Sequence, residues 1–164
     1  MPLSGEVIED AIIAVMKADS SFDAVKAFVI GFQYKVPLFM YDYCEVAVVS
    51  ETSPSEETGG IIRAFAGTIR FDVLAIDHTQ ALVDRQATAL SYSIVKAYIN
   101  RAVQLFRQNA NRTLSDLAGD DWSVQSFEIL DDVEYGIDSR ADRENSYENF
   151  GAIPWVCEVL EDRQ

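Results

Sequence analysis

Residues 61–77 read IIRAFAGTIRFDVLAID. Phe65, Ile69, Phe71 and Val73 fall on one face of an extended chain, and Thr68, Arg70 and Asp72 on the other, because successive strand side chains point to opposite faces. The alternation predicts one long strand. The next segment changes period. From about Gln80 to Gln108, Leu82, Leu90, Ile94, Tyr98, Ala102 and Leu105 form one helical stripe, and Val83, Val95, Ile99, Val103 and Phe106 broaden it. At ~1.5 Å per residue such a helix spans roughly 43 Å. Asp77 or Thr79 can cap it, with Gln80 as a capping-box partner for Asp77. An apolar arc this wide can cover a sheet and still leave a shoulder for another subunit. Core packing is the simpler reading of any one of its residues.

Upstream, Ser4 can cap an amphipathic helix whose Val7, Ile8, Ala11, Ile12 and Val15 share a stripe. Residues 22–32, FDAVKAFVIGF, fit a helix face or a strand; β-branched and aromatic content favours a strand from about Val25 to Phe32. In YDYCEVAVVSE, Cys44, Val46 and Val48 alternate with Glu45, Ala47 and Val49, and the apolar end suggests a central strand. TSPSEETGG, residues 52–60, is expected to be a flexible acidic loop.

Downstream, residues 109–121 form a connector. The strand WSVQSFEIL follows, with Trp122 and Val124 on one face and Phe127 and Ile129 on the other; Asp131 and Asp132 bend it, and Val133, Tyr135 and Ile137 continue it. NFGAIPWVCEV closes the sheet with Ile153, Trp155, Cys157 and Val159 on one face. Pro154 has no N–H to donate, so this strand is expected at an edge or with an interruption there. Strands in hairpins, rather than alternating with helices, make the class α+β: a mostly antiparallel sheet packed on one face by one long helix and a shorter N-terminal helix. The 164 residues fit one domain, 1–164.

The chain carries 13 Lys plus Arg against 27 Asp plus Glu, a formal net charge of -14. Wrapping nucleic acid or lying on an anionic membrane needs clustered cations, so both are disfavoured. Acidic surface permits DNA to pass without being held. No apolar run reaches the ~18 residues of a membrane-spanning helix. MPLSGEVIEDAIIAV has no basic n-region, and a reducing intracellular origin is expected. Cys44 and Cys157, far apart in sequence, read as two buried free thiols.

Little points to chemistry. His78, the one histidine, sits where a strand meets the long helix and reads as a polar helix-start residue rather than a general base. No phosphate-binding glycine loop and no zinc spacing occurs. Asp138, Asp142 and Glu144 lack EF-hand spacing and have Arg140 and Arg143 among them, so a salt-bridged or subunit-facing loop suits residues 139–149 better than a calcium cage. No catalytic residue, metal or cofactor is expected. Assembly subunit and monomeric adaptor are the surviving classes, and assembly is favoured over enzyme.

VIEDAIIAVMKA leading into a hairpin on CEVAVVSE, GGIIRAFAGTIRFDVLAID before one long helix, and VEYGIDSRADRENSYENFGAIPWVCEV at the end together resemble the tail terminator proteins of long-tailed bacteriophages. The likeness is one of pattern and has no diagnostic motif. It implies a virion subunit, assembled in the host cytoplasm, that forms a ring homo-oligomer, a hexamer. Such a ring caps the tail tube and joins it to the head connector, with DNA passing only through the lumen. The candidate contact residues are then Glu51, Glu56 and Glu57 near the first loop, and Asp138, Arg140, Asp142, Arg143 and Glu144 at the second. Another head–tail connector or tail-tube component, or a non-viral acidic adaptor, is the alternative.

Overall fold

The longest ladder of the molecule joins Gly60–Ile76 to Ser146–Asp162, antiparallel from Gly60↔Asp162 to Ile76↔Ser146. The computed structural model describes residues 5–31, 42–52, 55–57, 60–76, 81–108, 111, 114, 122–139 and 146–162. In chain order the elements are α1 (Gly5–Lys17), a 3-10 turn (Ser20–Phe22), β1 (Ala27–Ile30), β2 (Tyr43–Glu51), β3 (Ser55–Glu57), β4 (Gly60–Ile76), α2 (Ala81–Arg107), β5 (Trp122–Ile129), β6 (Glu134–Ser139) and β7 (Ser146–Asp162). The fold is α+β, as the hairpin pattern implies. Its seven described strands run in the order β1-β2-β4-β7-β5, with β3 on β4 and β6 on β7. Every pairing is antiparallel except β1 with β2.

Both helices lie on one face of the sheet. Cys44 and Val46 of β2, Phe65, Ile69, Phe71 and Val73 of β4, and Ile153, Trp155, Cys157 and Val159 of β7 are buried beneath them. This is the alternation read from the sequence. Ile8, Ala11, Ile12 and Val15 of α1 are buried as the stripe predicts. Between the helices, Phe22 stacks on Phe71 with centroids 5.6 Å apart, and Phe71 stacks on Tyr98 of α2 at 5.2 Å. Arg101 of α2 pairs with Asp19, which holds that carboxyl down at about 2. Glu9 is buried on α1 and accepts a 3.0 Å hydrogen bond from Val48 N–H. It meets β2 where the ladder with β4 slips, between Val48 and Ser50. Where α2 crosses the sheet there is no room for a side chain. A Cβ on Gly151 would stand 2.7 Å from Val95 Cγ1 and 2.9 Å from Ile99 Cγ1.

Five expectations need correction. Pro154 does not mark an edge: β7 is paired on both sides, with β4 on one and with β5 and then β6 on the other. The interruption is the correct half of that reading. Leu130 N–H donates to Pro154 C=O at 2.9 Å, but Pro154 has no N–H to return, and here β5 ends and the chain bends through Asp131 to Val133 before β6 begins. Second, Val124 is not opposite Phe127 and Ile129. A bulge between Val124 and Ser126 adds a residue, so all three side chains reach the helix-covered core. Third, Leu90 is 64% exposed, because it points about 100° around the helix from buried Ser91. Leu82 and Val83 are outside the described side chains. Fourth, the 52–60 stretch is not wholly loop, since β3 pairs Ser55↔Ile62 through Glu57↔Gly60. Fifth, residues 139–149 are not wholly loop: β6 runs through Ser139 and β7 begins at Ser146, with Tyr135 facing Gly151 while residues 155–161 face β5. Cys44 and Cys157 are both free and buried, and burial pushes the Cys157 thiol up to about 12. Asp77, His78, Thr79 and Gln80 lie outside the described residues.

Candidate assembly surface

The sequence picks out two polar segments, and the β4–β7 ladder puts their described strand residues toward its opposite ends. Glu51, Glu56 and Glu57 stand where β4 starts, and Asp138 stands near the other end, with Asp138↔Glu148 next to Leu74↔Glu148. Sixteen residue steps at ~3.4 Å separate the ends of this ladder by about 50 Å. Among the described residues, Glu51 and Asp138 therefore stand apart along the sheet rather than in one cluster. Arg140, Asp142, Arg143 and Glu144 fall outside the described residues, and of Glu56 and Glu57 only the backbone is described.

At the first end Glu51 is already engaged. It pairs with Arg63 across the β2–β4 ladder, and Arg63 Nη1 also lies 3.8 Å from Glu161 Oε2 on β7. The guanidinium sits 5.3 Å from the Phe65 ring centroid. One cation thus braces carboxylates from two flanking strands near the start of β4.

At the second end the cluster is built on Arg70. Its Nε and Nη2 hold Asp72 at 3.0–3.1 Å, and Nη2 also reaches Asp138 Oδ2 at 2.9 Å. Asp72 is fully buried, and Tyr43 also hydrogen-bonds it. Burial raises the Asp72 carboxyl and Arg70 opposes that rise; the two carboxylates in turn keep Arg70 protonated more firmly than an ordinary guanidinium. Arg70 stacks on Phe150 at 4.1 Å from its centroid. A Cβ on Gly136 would lie 2.6 Å from that ring, so the glycine on the neighbouring strand makes room for it. Sequence reading found Asp138 but neither Arg70 nor Phe150. Only the alternation that set Arg70 and Asp72 on one face signalled them.

Between these ends lies the sheet face turned away from the helices. Ile62, Ala64, Ala66, Pro154, Val156 and Leu160 lie on it, all half-buried, and no helix covers it among the described residues. Exposed Glu128 and Glu134 border it, and exposed Glu158 interrupts it between Val156 and Leu160. The arrangement is an apolar strip with acidic residues at its edge and one within it, surface of the kind that contacts other molecules. On the helix side Leu90 and Tyr92 add exposed apolar surface, Tyr92 packing edge-on to Tyr135 at 5.8 Å. No helix of the described residues is long and apolar enough to cross a membrane.

No family model matches the chain, and no curated protein matches it in sequence. Among solved structures, a chain described as "Virion of native gene transfer agent (GTA) particle" is similar over 92% of this chain and 94% of its own, at 14% identity and a TM-score of 0.41. At that score the likeness carries no argument about function.

Proposed function

We propose that this chain is a structural virion subunit of the tail-terminator kind, assembling as a ring that caps a tail tube, meets the head connector and lets DNA through. The reading rests on the sequence resemblance. One structural observation supports it: the described strand residues flanking the two polar segments lie toward opposite ends of one long ladder, with an apolar sheet strip between them that no described helix covers. A ring subunit needs two end contacts, one for the tube and one for the connector, and a lateral contact for its neighbour. The net charge of -14 suits a lumen that must not retain DNA. Another head–tail component of related fold would share these features, and a non-viral adaptor would not need both ends.

Static light scattering of the chain, alone and with tail tubes of its own virion, tests the proposal. It predicts a mass several times that of the 18.3 kDa chain, or depletion of the chain onto the tubes. A strict monomer that ignores the tubes would contradict it.

A further inference from the structure

Strand β5 ends the sheet, pairing only with β7. Leu130 N–H points inward, to Pro154. Alternation from that bond turns the N–H and C=O groups of Phe127 and Ile129 outward, and no partner accepts or donates to them among the described residues. Edges left open in this way are commonly blunted by charge, proline or a bulge. Here the bulge between Val124 and Ser126 blunts only the first half. Beside the second half runs a groove of about 550 Å³, walled by Phe106 and Arg107 at the end of α2 and by Phe127, Glu128, Ile129 and Asp131 of the edge. Phe106, Phe127 and Ile129 are buried beneath it, and polar groups make up much of its accessible lining. Arg107 and Asp131 bond each other at 2.9 Å, which leaves Glu128, on the opposite face of the same edge, as the unbalanced charge beside it.

We infer that this edge receives an extended segment of a different protein, added as a further antiparallel strand beside Ser126–Leu130, with a Lys or Arg opposite Glu128. The outward backbone groups supply main-chain recognition, and alternate side chains of the added strand lie over the groove. Opposite charges facing each other across a strand pair are favourable, and like charges are not. That rule, with the excess of 27 acids over 13 bases, argues for a basic partner over a second copy of this chain. The inference goes beyond the virion reading and stands or falls separately from it.

The test uses the full chain and fluorescent eight-residue peptides of alternating Val and Thr bearing one central Lys. The same peptides with Glu for Lys, and with N-methylated backbone on the pairing edge, serve as comparisons. Expected are saturable binding of the Lys peptide, slowed amide exchange at Phe127 and Ile129, at least tenfold weaker binding after N-methylation, and a preference for the Glu peptide in Glu128→Lys. Equal binding of the N-methylated peptide would overturn strand addition. Absence of binding by every peptide at millimolar concentration would overturn the site. Concentration-dependent dimerisation that protects the same two amides would assign the edge to a second copy and overturn the choice of partner. Ring formation with an empty edge would leave the assembly reading intact and sink only this one.

Discussion

Arg70 Nη2 lies 2.9 Å from Asp138, 68 residues away along the chain, while the same guanidinium holds fully buried Asp72 on its own strand. The two carboxylates are unequal. Asp138 is half exposed and can be rehydrated, whereas Asp72 cannot. Asp138→Ala is therefore expected to cost about 0–1 kcal/mol, as exposed pairs do. Arg70→Met leaves a buried charge uncompensated and should cost about 3–5 kcal/mol. Urea unfolding of the two variants checks this; equal losses would mean that Asp72 does not depend on Arg70.

Gly67 faces the Trp155 indole and the backbone of β2. A Cβ there would come within 2.4 Å of the ring and 2.1 Å of the Ala47 carbonyl oxygen. Backbone cannot yield as a side-chain tip can, so Gly67→Ala should cost about 3 kcal/mol, the upper range of overpacking. Gly31 has open space but a φ of 72°. Gly31→Ala should therefore cost only about 1 kcal/mol, the left-handed backbone penalty. Thermal melts that ranked the two in the opposite order would show that β2 and β4 separate more easily than their register implies.

Burial raises the carboxyls of Glu9 and Asp42 above their ordinary values, against the pull of Val48 N–H on the first and of Tyr98 and Lys26 on the second. A raised carboxyl binds its proton more tightly in the folded state. Stability therefore rises as pH falls from neutral through the folded pKa, and the gain is complete below the unfolded value. Asp19 works in the opposite sense. Lowered to about 2 by Arg101, it adds stability above its unfolded value of 3.8 that is lost as pH falls toward 2. The melting temperature should peak in mild acid, and Glu9→Gln should melt higher than the parent at pH 8 and equal to it near pH 4. A melting temperature that fell steadily from pH 8 to pH 5 would contradict the assignment.

Much of this was legible because it depends on period. The buried sets Phe65–Val73 and Ile153–Val159 follow from alternation, and the α1 stripe from helical spacing. What was not legible depends on partners. The extra residue near Gln125 leaves no mark in WSVQSFEIL, yet it moves Phe127 onto the same face as Val124. Pro154 suggested an edge because a central strand must donate on both sides. In the fold, the strand it fails to bond simply stops at Leu130. The Arg70–Asp138 pair needed β4 and β6 to flank β7, a long-range fact that no local spacing encodes. For the candidate contacts, the sequence identified polar segments but could not show that the strand residues flanking them stand toward opposite ends of one ladder.

Arg140 and Arg143, among the acids between β6 and β7 in the sequence, are the candidates whose reversal tests assembly. Arg140→Glu with Arg143→Glu should leave the melting temperature within about 1 °C, as surface changes usually do, and should reduce association with tail tubes or with other subunits. A double variant that unfolded would make the segment part of the fold's own support.

The central claim is that this subunit closes into a ring on a tail tube. Electron micrographs of the purified chain, alone and mixed with tail tubes of its own virion, test it most directly. The account predicts ring-shaped particles, or tubes bearing a distinct cap at one end. Dispersed monomers beside tubes whose two ends look unchanged would contradict it.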